Sequence, residues 1–309
     1  MSTKRIWILA LPALILLNAC PRNKQAKKGS AGSYSIIDSV TLINHLAYLS
    51  SAAMEGRETG SHGNQLAREY IVRQFDSLGL KSNVQSFPIS NDRQGVNVIA
   101  SIKGTQYPDS FIVITAHYDH LGLRNGAIYY GADDNASGTA AMLTMAKYFT
   151  KNNPKHSLLF IAFDAEEQGL LGSKYFVANS PVPVASMVMN LNMDMVSRND
   201  NNEIYASGTH YYPFLKGYVD SVQTLSLVHL LFGHDDPAKG GSQDWTSQSD
   251  HFAFHQRHIP FLYFGVEDHA DYHQPGDTFE KVNKSFYYQV CSAITGVALL
   301  IDRQPALRK

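Results

Sequence analysis

Short apolar runs that stop at charged or polar residues recur down this chain, with helical patterns between most of them, and that alternation restricts the fold more than any other feature. Residues 95–103 and 111–116 read as strands parted by a Gly-Thr-Gln-Tyr-Pro-Asp turn; 158–163, 186–192 and 259–264 are further strand-like runs, and 204–207 is a shorter one. Helical periodicity intervenes. Leu66, Tyr70, Phe75 and Leu78 share one face and Gly79 stands where a helix would stop; 136–149 begins with small residues, and 169–178, 211–225 and 282–301 come after it. The alternation predicts an α/β fold, a single domain with a mixed, mostly parallel β-sheet flanked by helices on both faces. A chain of 309 residues suits one such domain. No internal repeat is present.

The N-terminus has a different character. Lys4 and Arg5 precede an apolar run over 6–17 and then Asn18-Ala19-Cys20, the order of parts in a secretory signal. The run is short for a membrane-spanning helix, and a small residue followed by cysteine resembles the lipobox of bacterial prolipoproteins. Residues 1–19 are therefore expected to be a lipoprotein-type signal peptide and Cys20 the lipid anchor; a plain signal peptide cut nearby is the alternative. Either leads to an exported protein, placed in the periplasm or at the outer membrane. The segment 20–33 is a polar tether carrying Arg22, Lys24, Lys27 and Lys28, with only a weak attraction to anionic headgroups, and 34–309 is the folded domain. The formal net charge of −1 gives no bias toward nucleic acid, and no membrane contact beyond the anchor is expected. Cys291, the remaining cysteine, falls in an apolar helical pattern and is expected to be a buried thiol.

Four of the strand-like runs end in groups that bind metals: 111–116 leads into His117, 158–163 into Asp164, Glu166 and Glu167, 188–193 into Asp194, and 259–266 towards His273. In open α/β sheets ligands collect beyond the carboxyl ends of the strands, so four distant segments would deliver these side chains to one rim. His117 and Asp119, two apart on an extended chain, lie on the same side, which lets Asp119 orient the imidazole; His120 reads as a loop or rim residue. The stretch Gly131-Ala132-Asp133-Asp134-Asn135-Ala136-Ser137-Gly138 has small residues that allow backbone to approach a crowded site, although Asn135 or Ser137 also suits a helix cap. Glu166 and Glu167, adjacent after a buried strand, crowd like charges and call for a cation or a proton: one carboxylate on a metal leaves the other free as a base. Three carboxylates and two imidazoles without a thiolate suit zinc, manganese or cobalt, with zinc favoured.

These residues, in order, resemble the M28 zinc aminopeptidases, whose pattern runs His-x-Asp, Gly-Ala-x-Asp-x-x-Ser-Gly, Glu-Glu-x-Gly, Asp-Met and Tyr-His-x-x-x-Asp-Thr. Here they stand as His117-Tyr118-Asp119, residues 131–138, Glu166-Glu167-Gln168-Gly169, Asp194-Met195 and residues 272–278; Glu55-Gly56-Arg57-Glu58-Thr59-Gly60 and Ser249-Asp250-His251 with Phe254 are further family-like signatures. The resemblance spans nearly all of 35–302 and implies the zinc-exopeptidase, phosphorylase/hydrolase-like fold. It further implies two Zn2+ ions per chain bridged by Asp134, one completed by His117 and Asp194 and the other by Glu167 and His273. Glu166 would be the general base, Asp119 the orienting carboxylate and Tyr272 a donor to the oxyanion, or else a packed tyrosine with a satisfied hydroxyl. The substrates implied are peptides with a free N-terminus.

Two other functions share much of this pattern. A single-zinc glutaminyl cyclase would use a related site, but the two complete ligand sets favour hydrolysis; an exported binding protein that had lost turnover would have no need of Glu166. His234, Asp235, Asp236, Asp244 and Trp245 either shape the substrate pocket or belong to a solvated loop. Ser249-Asp250-His251 invites a catalytic-triad reading, yet neither a Gly-x-Ser-x-Gly elbow nor a phosphate loop is present.

Overall fold

A computed structural model describes residues 36–89 and 93–305. The expected signal peptide, lipid anchor and tether lie outside these residues. An eight-stranded sheet organises the fold, in the order β1 (Asn83–Pro88), β2 (Gln94–Ile102), β6 (His156–Phe163), β3 (Tyr107–His117), β7 (Met187–Met193), β10 (Phe261–Gly265), β8 (Glu203–Ser207) and β9 (His229–Leu231). The central β6, β3, β7 and β10 run parallel; the pairs β1–β2, β2–β6 and β8–β10 are antiparallel. A small hairpin, β4 (Gly122–Arg124) with β5 (Ala127–Tyr129), stands apart. The expected mixed sheet is thus present, with its parallel pairings concentrated at the centre.

The strands are apolar on both faces because both are covered. Ile112, Ile114, Phe160, Leu191 and Phe264 face one cluster, which includes buried residues of α1 (Ser39–Leu49), α2 (His62–Ser77), α3 (Gly138–Lys151), α5 (Lys216–Gln223) and α7 (Lys284–Asp302). Val113, Leu159, Ile161 and Phe163 face another, with Phe176 of α4 (Leu171–Ala178) and Phe254 of α6 (His251–His255). Cys291 is buried in α7 as expected. The helix expected over 211–225 is shorter, because Pro213 starts a separate turn before α5 begins.

Strand register brings the carboxyl ends together. His117 pairs with Phe163, and Met193 with Phe264, so the residues leaving β3, β6, β7 and β10 emerge level with one another at the carboxyl rim. Gly138 permits the close approach on this rim: a Cβ there would lie 2.3 Å from the Met193 carbonyl oxygen, so only glycine lets the start of α3 sit against the end of β7.

Candidate metal centre

The four strand ends and the loop before α3 bring together all five expected ligands and Glu166. The His117 Nδ1–H donates to the Asp119 carbonyl at 3.2 Å, with the Asp119 carboxylate 3.6 Å away. That leaves Nε2 facing inward, 3.2 Å from Asp194 Oδ1 and 3.4 Å from Asp134 Oδ1. The other oxygen of Asp134 faces the opposite way: Oδ2 is 3.1 Å from His273 Nε2, which is 3.3 Å from Glu167 Oε2. Zinc bonds of roughly 2.0–2.1 Å at tetrahedral angles put neighbouring donor atoms about 3.3 Å apart. The spacings around both faces of Asp134 fit that requirement.

The electrostatics ask for positive charge. Burial raises the Asp134 carboxyl, and the neighbouring Glu167 charge raises it further against the nearby histidines. Burial pulls the His273 imidazole down, but hydrogen bonds to Asp134 and Glu167 outweigh it and lift its pKa to about 10. His117 is likewise lifted, against its burial, by Asp194, Glu166 and Asp119. Glu166 sits with His117 and Asp194, their prospective donor atoms within 4.8 Å of one another, and burial drives its carboxyl well above the usual range, against the pull of His117. The cluster therefore takes up protons on its imidazoles and on Glu166 unless cations are bound, and its donor set suits divalent zinc, manganese or cobalt.

Asp119 does more than its two-residue spacing from His117 indicates. Its carboxylate also accepts the backbone N–H groups of Glu166 (3.1 Å) and Glu167 (3.2 Å), so one buried residue orients the imidazole through its carbonyl and holds the Glu-Glu segment through its carboxylate. Asp164 is not a donor to the site. It is buried and accepts from Thr59, Asn64, Val96 N–H and Tyr118. Tyr272 lines the cleft, its ring stacked on His273 at 3.9 Å, and its hydroxyl makes no hydrogen bond among the described residues. Burial and the charges of Asp134, Asp194 and Glu167 raise its pKa, so it stays protonated and able to donate.

One expectation needs correction in part: His120 lies in the loop after β3, as expected, but not at the rim. It is buried, and its Nδ1 lies 2.8 Å from Glu167 Oε1 and 3.6 Å from Asp134 Oδ2. The extended chain ends at His117, so the alternation of sides that separates His117 from His120 on a strand no longer holds. Arg57, inside the 55–60 signature, has a role that its sequence context does not indicate. Fully buried, it donates to the carbonyls of Tyr118 (2.8 Å), Leu49 (2.7 Å), Tyr130 (2.8 Å) and Gly131 (2.9 Å), tying the His117 segment to the loop that carries Asp134.

The remaining open residues separate. Trp245 lines the cleft with Met195, Gln248, Tyr263, Val266 and Asp268, and it stacks face to face on His234 at 3.7 Å, while His234 pairs with Glu267. Asp235, Asp236 and Asp244 cap nearby backbone N–H groups instead of reaching the cleft. The triad reading fails: His251 Nε2 meets the Trp245 carbonyl at 3.1 Å, and Ser249 Oγ is engaged by Asn192.

Over 211 residues the chain is 31% identical to aminopeptidase YwaD of Bacillus subtilis (strain 168), covering 65% of this chain and 43% of that one. The chain spans about half the length of the curated relatives it matches. Its fold is shared with the zinc aminopeptidase BSAP of Bacillus subtilis (TM-score 0.74, 18% identity, 86% of this chain and 95% of that). It is shared almost equally with glutaminyl cyclase of Porphyromonas gingivalis (TM-score 0.71, 18% identity, 87% and 100%), so fold alone does not separate the two activities. The sequence profile of Peptidase family M28 matches residues 97–297, well over half the chain and a span within which the five expected ligands lie, and the chain belongs to that family.

Proposed function

We propose that this protein is a zinc aminopeptidase with a co-catalytic metal pair, hydrolysing the first peptide bond of peptides that carry a free N-terminus. The observation that carries the reading is Asp134, whose two carboxylate oxygens face separate imidazoles, His117 on one side and His273 on the other. His117, Asp134 and Asp194 would hold one Zn2+, and Asp134, Glu167 and His273 the other. Bound zinc supplies Lewis acidity, polarising the scissile carbonyl and making water easier to deprotonate.

The protein's own groups account for the rest. Glu166, raised first by burial and then by the charges of Asp194, Asp250 and Glu167, has a carboxylate basic enough to take the proton of the attacking water and return it to the leaving amine. Asp119 fixes the tautomer of His117 and the backbone of the Glu166–Glu167 pair. Tyr272, protonated and lining the cleft, donates to the oxyanion as it forms. Trp245 and Tyr263 also line the cleft. Export as a lipoprotein anchored at Cys20 completes the proposal, placing the site where it meets extracytoplasmic peptides.

The test is metal content together with hydrolysis of a panel of aminoacyl-arylamides, with and without chelator. Two zincs per chain and chelator-sensitive cleavage support the reading. One zinc per chain, no cleavage and cyclisation of an N-terminal glutamine would replace it with the cyclase.

A further inference from the structure

His273 is the least anchored of the prospective ligands. His117 and Asp194 sit at the ends of β3 and β7, and Glu167 comes soon after β6, but His273 lies midway along the connection 266–283, has a positive φ of 53°, and leaves 37% of its side chain exposed. Its position depends on what pins that loop. Two tethers bracket it, four residues to either side, and both end on the segment carrying Asp134. On one side Asp277 accepts the backbone N–H groups of Asp133 and Asp134 at 3.0 Å. On the other, His269 Nε2 meets Asp133 Oδ2 at 3.2 Å, while its Nδ1 accepts the Asp271 N–H at 3.2 Å.

Those two bonds, with a longer one from Arg198 to Nδ1 (3.4 Å), use both ring nitrogens, which sets the tautomer: the Nε2–H donates to Asp133 and the Nδ1 lone pair closes the loop's own turn. Asp133 is itself immobilised, its Oδ1 accepting from the Ser197 N–H (2.7 Å) and hydroxyl (2.8 Å). The Asp271 carboxylate is clamped by Arg198 and Lys281, both at 2.6 Å, which stiffens the turn but does not reach the Asp134 segment. Neither His117 nor Asp194 touches this network.

We infer that His269, acting through Asp133, is a positioning residue that places His273 and so sets the affinity of the second metal site separately from the first. The inference rests on the two-metal reading above. It also accounts for the paired aspartates: Asp134 faces His117 and His273, where it would hold metal, while Asp133 turns away to hold the loop that brings the last ligand.

The test is a Co2+ titration of the metal-stripped full chain, followed by visible absorption, on wild type, H269N and H269Q. The glutamine amide nitrogen reaches the position of Nε2 and keeps a donor to Asp133; the asparagine amide falls one methylene short. Groups that orient metal ligands typically change affinity by 10–100-fold. H269N is therefore expected to bind the first Co2+ as wild type does and the second about 10–100-fold more weakly, with H269Q recovering most of that loss. Losing the bond to buried Asp133 is expected to lower the thermal midpoint of metal-free H269N, and its unchanged first-site affinity separates the second-site effect from a general folding defect. A second-site affinity equal to wild type in H269N, or an equal loss at both sites, overturns the inference. A wild type that takes up only one Co2+ overturns the two-metal reading instead.

Discussion

Arg57 offers the sharpest test of what holds the centre together before any metal binds. It is 1% exposed and spends its donors on four backbone carbonyls, two of which, at Tyr118 and Gly131, belong to the segments carrying His117 and Asp134. Burial pulls its pKa down to about 10, which still leaves it charged at neutral pH. A hydrogen bond from a charged donor is worth about 1.5–3 kcal/mol net, but burying the guanidinium costs several kcal/mol, so the four bonds do not simply add. Arg57→Met removes the charge and its desolvation cost together, and strands four carbonyls at about 1–3 kcal/mol each before relaxation. After partial cancellation the loss should be about 3–5 kcal/mol, a large share of the roughly 5–15 kcal/mol that holds a domain folded. Arg57→Lys keeps the charge but offers three donors from one nitrogen in place of a planar fork, and should lose about 1–3 kcal/mol. Urea denaturation of the metal-free protein reads both values. An Arg57→Met stability within about 1 kcal/mol of wild type, at an unchanged slope, would show that the carbonyls had found other donors at little cost and that Arg57 does not hold the two segments together.

The same contacts give further expectations. Glu166→Gln should retain metal at wild-type stoichiometry while turnover falls by about 10²–10⁴-fold, measured with an aminoacyl-arylamide; appreciable residual hydrolysis would remove Glu166 from its role as base. Gly138→Ala forces a Cβ to within 2.3 Å of the Met193 carbonyl. It should cost about 1–3 kcal/mol in urea, with weaker Co2+ binding as the Asp134 and Asp194 segments part. Free zinc at about 100 times its Kd should stabilise the fold by about 2.7 kcal/mol, and chelator should abolish the gain in a thermal melt. Away from the site, His45 is buried against the Tyr70 hydroxyl at 2.7 Å, and burial together with Lys147 takes its pKa from 6.5 down to about 4. The unfolded chain then binds a proton that the folded one refuses, so this stability is complete above about pH 6.5 and is lost progressively as pH falls towards 4, by about 1.4 kcal/mol per unit. His45→Gln should lose about 2–3 kcal/mol less than wild type between about pH 7.5 and 4.5; parallel pH profiles of the urea midpoint would contradict this.

How much of the molecule is legible in its sequence depends on the range of the forces involved. His117, Asp194 and the Glu166–Glu167 pair are legible because an apolar strand that stops at a charged residue is a local pattern, and parallel strands must deliver such residues to one edge. The core helices α2, α3 and α7 are legible from their apolar periodicity. The helix α1 is not, although Leu42, Leu46 and Leu49 keep a helical spacing and Asp38 caps its start, because polar residues and His45 lie between them next to the tether. The edge strand β1 buries only Phe87, so it carries no alternation to detect.

The groups that hold the site in place are the hardest to see. Arg57 binds backbone oxygens, which every residue possesses, so nothing in the sequence of its partners marks them. Asp133 and His269 are 136 residues apart, and each has an ordinary local reading, as a cap or as a loop polar residue. His120, read as a loop or rim residue, has no local signal for its contact with Glu167, 47 residues on. Ligands are thus visible through the chemistry of their own segment, while the groups that position them depend on which segments the fold brings together. For that reason the decisive substitutions here are Arg57 and His269 as much as the five prospective ligands. Changing a ligand tests whether metal binds; changing these two tests whether the fold, and not the donor set alone, determines where it binds.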